Sequence, residues 1–345
     1  MSEDESWMMQ ALREARKGIG RTAPNPPVGA VIVKDDVLLG SGWHQKAGMP
    51  HAEREAMAEC VALHGEGSLR GATAYISLEP CSTHGRTPPC VQGLIEAGIS
   101  RVVYACEDPN PHHAGRADGL LKSAGIVVEK GVMREQAEKI LRPFAKVQRT
   151  GLPWVVAKIA MSLDGRITRP DGEGPWLTSE ASRQDVQRLR SEVDLIMTSG
   201  ESVRRDLPAL MIRDPELLRG RDQPWRLVLT NHPASLPSHA PLFVDENRHR
   251  TMTRAGNLEN ILREMAADFA VMSIMVESGG KLLAELAKQE LLDECVIYLA
   301  PMITGGLPAM AGTNALDLAM TEMEWSRIGD DVRLRAQVLR DQSGK

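Results

Sequence analysis

Four residues of this chain are spaced for metal chemistry: His51, Glu53, Cys81 and Cys90. One imidazole and two thiols give zinc three ligands and leave its fourth tetrahedral position to water. Zinc lowers the pKa of such a water to about 7, so hydroxide is available at neutral pH. Glu53 stands two residues from His51. It can reach the water without binding the metal, and so can take up and return a proton. A structural zinc is the alternative, closed by a fourth ligand such as His84 or His44. Such a site would have no use for Glu53.

The surrounding elements would aim these groups at one point. His51–Leu63 predicts a helix with His51 and Glu53 at its start, and Ala74–Leu78 a short apolar strand that delivers Cys81. Cys90–Ala97 predicts a second helix, whose N-terminal dipole favours a Cys90 thiolate. A helix from Ser6 to Gly18, strands over Val28–Val33 and Val37–Ser41, and further strands and helices to Glu129 complete an alternating α/β half. Met133–Gln148 predicts a helix with a kink or break at Pro143. The segment 149–153 reads as a linker. A second alternation begins at Trp154 and runs to a last strand over Val332–Val338. The stretches 205–225 and 231–257, rich in Pro, Arg and Asp, read as working loops. The domains are therefore drawn as 1–150 and 151–345.

The 345 residues suffice for two such cores. A net charge of −5 disfavours nonspecific binding to nucleic acid or a membrane surface. No apolar run approaches the roughly 20 residues of a membrane helix, and the acidic start Met1-Ser-Glu-Asp-Glu lacks the layout of a signal peptide. Five cysteines, an odd number, point to reduced thiols and a cytoplasmic enzyme. A small anionic ligand remains possible, since a few local arginines suffice for one phosphate, and the chain is expected to associate with further copies of itself, as a dimer or tetramer.

Zinc deaminases of nucleobases carry H-x-E followed by P-C-x-x-C. Here Pro80-Cys81 and Cys90 are separated by eight residues instead. The runs His51-Ala-Glu53, Leu78-Glu-Pro-Cys-Ser82 and Gly85-Arg-Thr-Pro-Pro-Cys90 resemble the bifunctional deaminase–reductase family of riboflavin biosynthesis. Pro24-Asn-Pro-Pro-Val-Gly29 and Asp108-Pro-Asn-Pro111 are similar to two more of its segments. The resemblance continues in Lys158-Ile-Ala-Met-Ser-Leu-Asp-Gly165, Trp176-Leu-Thr-Ser179, Gly200–Arg213, Glu277-Ser-Gly-Gly280 and Leu299-Ala-Pro301.

That resemblance implies a cytidine-deaminase-like α/β/α sandwich followed by a dihydrofolate-reductase-like α/β domain. It implies two reactions: removal of an exocyclic amine from a diamino-pyrimidinone carrying ribosylamino 5′-phosphate, then reduction of the ribosyl group to ribityl with NADPH. Zinc on His51, Cys81 and Cys90, Glu53 as proton shuttle, and Asn25, His44 and His84 around the ring would serve the first. For the second it implies cofactor contacts from Ala160, Trp176, Ser202, Asp206, Asn231, Gly279 and Gly280. Substrate contacts would come from Lys158, Gly174, Arg190, Leu210, Arg213 and Glu277. Arginine suits a phosphate through bidentate bonds.

Read without the family, several of these residues have plainer explanations. Asn25 fits a turn, His44 a surface position, Gly279-Gly280 a strand–helix turn, Trp176 a core, the arginines solvated faces, and Lys158 an ion pair. No G-x-G-x-x-G follows a strand, so a Rossmann site is not supported. The family pattern is also broken at Leu207, where an acid often follows Asp206. Two other readings compete. One is a deaminase of another nucleobase with an inactive or regulatory nucleotide-binding second half. The other is a structural-zinc protein with a nucleotide-sensing second half.

Overall fold

The computed structural model describes residues 1–83, 89–110, 114–169, 176–218, 220–310 and 318–339. The chain divides into two compact units, Met1–Gly151 and Leu152–Lys345.

In the first unit, a Ser2–Glu5 capping box starts α1 (Glu3–Arg16). There follow β1 (Gly29–Lys34), β2 (Val37–Trp43), α2 (Ala52–His64), β3 (Thr73–Ile76), α3 (Cys90–Glu96), β4 (Arg101–Tyr104), α4 (Arg116–Ser123), β5 (Val127–Lys130) and α5 (Arg134–Thr150). The sheet order is β2-β1-β3-β4-β5, with β1 antiparallel to its neighbours and β3, β4 and β5 parallel. Successive side chains of a strand face opposite ways. Ala30 and Ile32 therefore pack under α2, α3 and α4, while Val31 and Val33 pack under α1 and α5. The result is an α/β/α sandwich.

α2 lies directly on the backbone of β2. A Cβ on Gly40 or Gly42 would come within 2.4 Å of the Ala56 backbone. Only glycine admits so close an approach, and it fixes the helix that carries His51 and Glu53 at its start.

The second unit contains β6 (Trp154–Ser162), α6 (Glu180–Ser191), β7 (Leu195–Ser199), α7 (Gly200–Asp206), α8 (Pro215–Leu218), β8 (Trp225–Leu229), α9 (Pro241–Val244), β9 (Thr251–Arg254), α10 (Leu258–Phe269), β10 (Ser273–Val276), α11 (Gly280–Lys288), β11 (Glu294–Ala300), β12 (Met320–Ile328) and β13 (Asp331–Val338). Its sheet runs β12-β13-β11-β6-β10-β7-β8-β9. The strands from β11 through β9 are parallel, and β13 and β12 close the edge antiparallel. α10 and α11 cover one face through Leu262, Met265, Leu283 and Leu286. α6 covers the other through Val186 and Leu189, beside α7 and α9.

Three expectations differ from this fold. α5 runs unbroken through Pro143 to Thr150 and ends on Gly151, so the expected break there is absent and the expected linker starts inside a helix. β9 lies in a stretch read as loop. β12 was not anticipated, because most of this edge strand is exposed and its sequence has no apolar alternation.

Gly42→Val should lower stability by about 1–3 kcal/mol through overpacking and should reduce zinc content with it. Thermal unfolding and metal analysis of the purified variant check this; wild-type values for both would show that α2 does not depend on the glycine floor.

Candidate functional site

His51 is the N-cap of α2, and Cys90 is the first residue of α3. The His51 Nδ1 lies 3.5 Å from the Cys81 Sγ and 3.4 Å from the Cys90 Sγ. Zinc–sulfur and zinc–nitrogen bonds of about 2.3 and 2.0–2.1 Å at a tetrahedral angle put S and N about 3.6 Å apart. The three donors therefore fit a tetrahedral ion, and their softness suits zinc. The Cys81 thiol is held down to about 4 by its hydrogen bond with Cys90, whose own thiol is pushed up. The opposite directions favour one thiolate in the pair, the form that binds metal.

Glu53 sits in the first turn of α2 and is 3% exposed. Its Oε2 is buried without a hydrogen-bond partner among the described residues. An orphaned carboxylate oxygen is costly, and here it stands beside the metal donors. Burial raises its pKa, which favours holding a proton.

His44 is buried, with its ring 5.4 Å from that of His51. Its Nδ1 donates to the Pro50 carbonyl at 3.0 Å, which leaves Nε2 to accept from the Asn25 amide at 3.0 Å. Burial lowers the His44 pKa and keeps it neutral. Both ring nitrogens are committed, so His44 is not the closing ligand that a structural zinc would need. Its bond instead fixes the Asn25 amide and leaves the Oδ1 of that residue to accept elsewhere. His84 lies outside the described residues.

Sequence reasoning missed Glu79. This buried carboxylate accepts from the backbone N–H groups of Asp108, Gly115 and Ala117 at 3.2, 2.9 and 3.1 Å. It ties the segment leading into α4 to the chain just before Cys81. An acid at the end of an apolar strand was the available signal.

In the second unit, period-2 alternation puts Lys158 and Glu277 on the α6 side of the sheet. Arg190 of α6 donates to Glu277 through Nε at 2.7 Å and Nη2 at 3.1 Å, and to the Met211 carbonyl at 2.8 Å. The Lys158 Nζ is 3.8 Å from Glu277. Burial pushes Glu277 up, yet Arg190 and Lys158 hold its carboxyl below the ordinary range, with Arg213 adding to the pull. Burial lowers Lys158. Leu210 is buried at φ +49°. Its loop is pinned by Arg226, which bonds both the Ala209 carbonyl and Asp245. Arg213 presents a guanidinium without hydrogen bonds among the described residues, whereas much of the Arg190 fork is spent on Glu277.

The Ser202 Oγ lies 3.3 Å from that of Ser278, beside Gly279 and Gly280 at the start of α11. Asn231 lines a separate cavity of about 280 Å³. Ala160 packs beside the α6 core cluster, and Asp206 is exposed near Arg205. Trp176 is 55% exposed and stacks under Arg183, so it is not a core residue. Gly174 lies outside the described residues. Asp331, also missed, accepts from Ser179 and Ser182 and so fixes the start of α6.

Residues 1–106 match the model of the cytidine and deoxycytidylate deaminase zinc-binding region, and residues 153–334 match that of the RibD C-terminal domain. The riboflavin biosynthesis protein RibD of Haemophilus influenzae is 38% identical over 96% of this chain and 97% of its own length. That of Escherichia coli is 39% identical over 91% and 93%. The chain belongs to the RibD family.

Solved structures agree across the whole length. Acinetobacter baumannii RibD superposes with a TM-score of 0.87 at 36% identity, over 98% of this chain and 99% of that one. A Thermotoga maritima deaminase–reductase gives 0.84 at 29%, over 97% and 99%. The chain is a bifunctional enzyme of riboflavin biosynthesis, a zinc deaminase and an NADPH-dependent reductase. The readings with an inactive or merely sensing second half are not favoured, because family membership spans both halves.

Glu277→Gln should leave Arg190 and Lys158 buried without a counter-charge and cost about 3 kcal/mol. The folded carboxyl is held below its unfolded value of about 4.3. Its contribution is therefore complete above that pH and lost as pH falls through the folded pKa. Denaturant unfolding should show a gap from wild type that is full at neutral pH and shrinks below about pH 4. A gap that does not depend on pH would contradict the charge argument.

Proposed function

We propose that residues 1–151 deaminate a diamino-pyrimidinone carrying ribosylamino 5′-phosphate and that residues 152–345 reduce its ribosyl group. The observation that carries the first half is the unpartnered Glu53 Oε2 beside three converging zinc donors. The named activities of the Thermotoga maritima relative, a diaminohydroxyphosphoribosylaminopyrimidine deaminase and 5-amino-6-(5-phosphoribosylamino)uracil reductase, supply the substrate class.

His51, Cys81 and Cys90 hold the zinc, which when bound supplies an acidified water at neutral pH. Glu53 accepts a proton on Oε2 and returns it to the departing ammonia. Asn25, fixed by His44, accepts from the edge of the ring. His84 belongs to the same pocket by family match.

In the second unit the substrate meets Lys158, Arg190, Leu210, Arg213 and Glu277, with Gly174 assigned by family match alone. Arg213, with its fork open, suits the ribose phosphate. Arg190 holds Glu277, and Lys158 orients the opened sugar from the same face. NADPH, when bound, supplies the hydride. Gly279 and Gly280, at the start of α11, and Ser202 would hold its phosphates. Ala160, Trp176, Asp206 and Asn231 would be its further contacts, the last two beyond the ends of β7 and β8.

Assembly and location extend the same reading. No helix among the described residues is long and apolar enough to cross a membrane. Met323 and Trp325 of the edge strand β12 are 56% and 59% exposed, an apolar surface suited to a second copy. We read the enzyme as a cytoplasmic homo-oligomer, dimer or tetramer.

Glu53→Gln tests the mechanism most directly. The amide cannot carry a proton, so deamination should fall by at least about 10³-fold, within the range of general acid–base groups. Zinc content and reduction of already deaminated substrate should stay at wild-type levels. Loss of zinc would make Glu53 part of the metal's support, and deamination within threefold of wild type would move the proton transfer to another group. Cys81→Ser, by contrast, should lose zinc and deamination together, read by metal analysis and an absorbance assay; retention of both would overturn the ligand assignment.

A further inference from the structure

Across the carboxyl ends of the second unit's strands, the proposed substrate and cofactor groups fall in order. Lys158 and Glu277 stand on β6 and at the end of β10, Gly279 and Gly280 follow β10, and Ser202 follows β7. β8 and β9 come next in the sheet. β7 stands between β10 and β8, and adjacent strands are about 4.8 Å apart, so the end of β8 lies about 10 Å beyond the glycine turn. From a pyrophosphate at the glycines, that span leads to the adenosine end of a dinucleotide. The lining of the 280 Å³ cavity at this end includes Thr230, Asn231, Arg254, Leu258, Ile261 and Leu282. Its mixed lining, apolar with a polar rim, suits an adenine ring.

A 2′-phosphate there would need a cation that is not already neutralised. Among the described residues, three arginines lie at the carboxyl ends of β7, β8 and β9 or on α7: Arg204, Arg205 and Arg254. Arg254 is bound by Glu264 through Nε and Nη2. Arg205 faces Asp206 at 3.9 Å. Lys281 on α11 faces Glu201 at 3.6 Å. Arg204 has no carboxylate partner among the described residues. Its Nη1 donates to the Ser235 Oγ at 2.9 Å, and that hydroxyl donates in turn to the His232 carbonyl at 2.7 Å. Ser235 therefore sets the direction of Arg204 and leaves its other N–H groups open. A Cβ on Gly200 would lie 2.7 Å from Thr230 and 3.3 Å from the Arg204 Nη1, which places the guanidinium beside the end of β8 and the cavity rim.

We propose that Arg204, aimed by Ser235, reads the 2′-phosphate of NADPH and gives the reductase its preference over NADH. This rests on the cofactor placement proposed above. Arg204 is exposed, and its replacement removes no core contact.

Calorimetric titration of the full-length protein with 2′,5′-ADP and with 5′-AMP tests it, alongside NADPH binding followed by fluorescence. Wild type should bind 2′,5′-ADP at least about tenfold more tightly than 5′-AMP, as expected for charge-assisted hydrogen bonds to a phosphate. Arg204→Ala should cut that ratio to within about threefold while 5′-AMP affinity stays within twofold. Ser235→Ala should lower the ratio less. If Arg204→Ala keeps the wild-type ratio, or if Arg254→Ala abolishes it instead, Arg204 is not the reader, although the cofactor placement stands. If 2′,5′-ADP fails to displace NADPH from wild type, the placement itself fails and the proposal with it.

Discussion

The bare backbone of β2 at Gly40 and Gly42 decides where α2 can lie, and α2 carries at its start both His51, one of the three converging metal donors, and Glu53, the proposed proton carrier. With any side chain at either glycine, the Ala56 backbone would have to move. His51 would then lose its place opposite Cys81 and Cys90, since those cysteines arrive on separate elements and are positioned independently. A tetrahedral site tolerates little drift in its donors. Packing of a helix against two residues without side chains is thus tied to whether a metal can be held.

Two other buried polar side chains of this unit are spent on the fold. His44 spends one ring nitrogen on a backbone carbonyl and the other on Asn25. Glu79 spends its oxygens on three backbone N–H groups. Each satisfied group orders something else: the Asn25 amide, and the segment leading into α4. Glu53 stands apart because one of its oxygens is left unsatisfied. That asymmetry separates the carboxylate proposed to react from the structural one.

In the second unit a buried anion does the organising. Glu277 gathers Arg190, Lys158 and the field of Arg213, which would repel one another without it. A buried acid with more than one cation leaves positive charge over, and an anionic substrate can use it. Arg226, fully buried, is a second organising charge: its bonds to Asp245 and to the Ala209 carbonyl lock the loop that carries Leu210.

Much of this enzyme could be read from residue types and spacing. Histidine, two cysteines and a nearby glutamate name a metal and a proton carrier because those chemistries have few alternatives. Strands alternating with helices pointed to an α/β layer architecture in each half, and the family resemblance to the sandwich. Periodicity failed where burial is weak, as in the exposed edge strand β12, and where a local rule was overruled, as at Pro143 inside α5. It could not say that both nitrogens of His44 are taken, that Arg190 belongs to Glu277, or that Glu79 and Asp331 anchor segments far along the chain. Those facts are pairings between residues distant in sequence, and a side chain's partner depends on which elements the fold packs together. The sequence by itself determined the donor set and the kind of chemistry; only the tertiary structure decided which polar groups are already satisfied and which remain free to react.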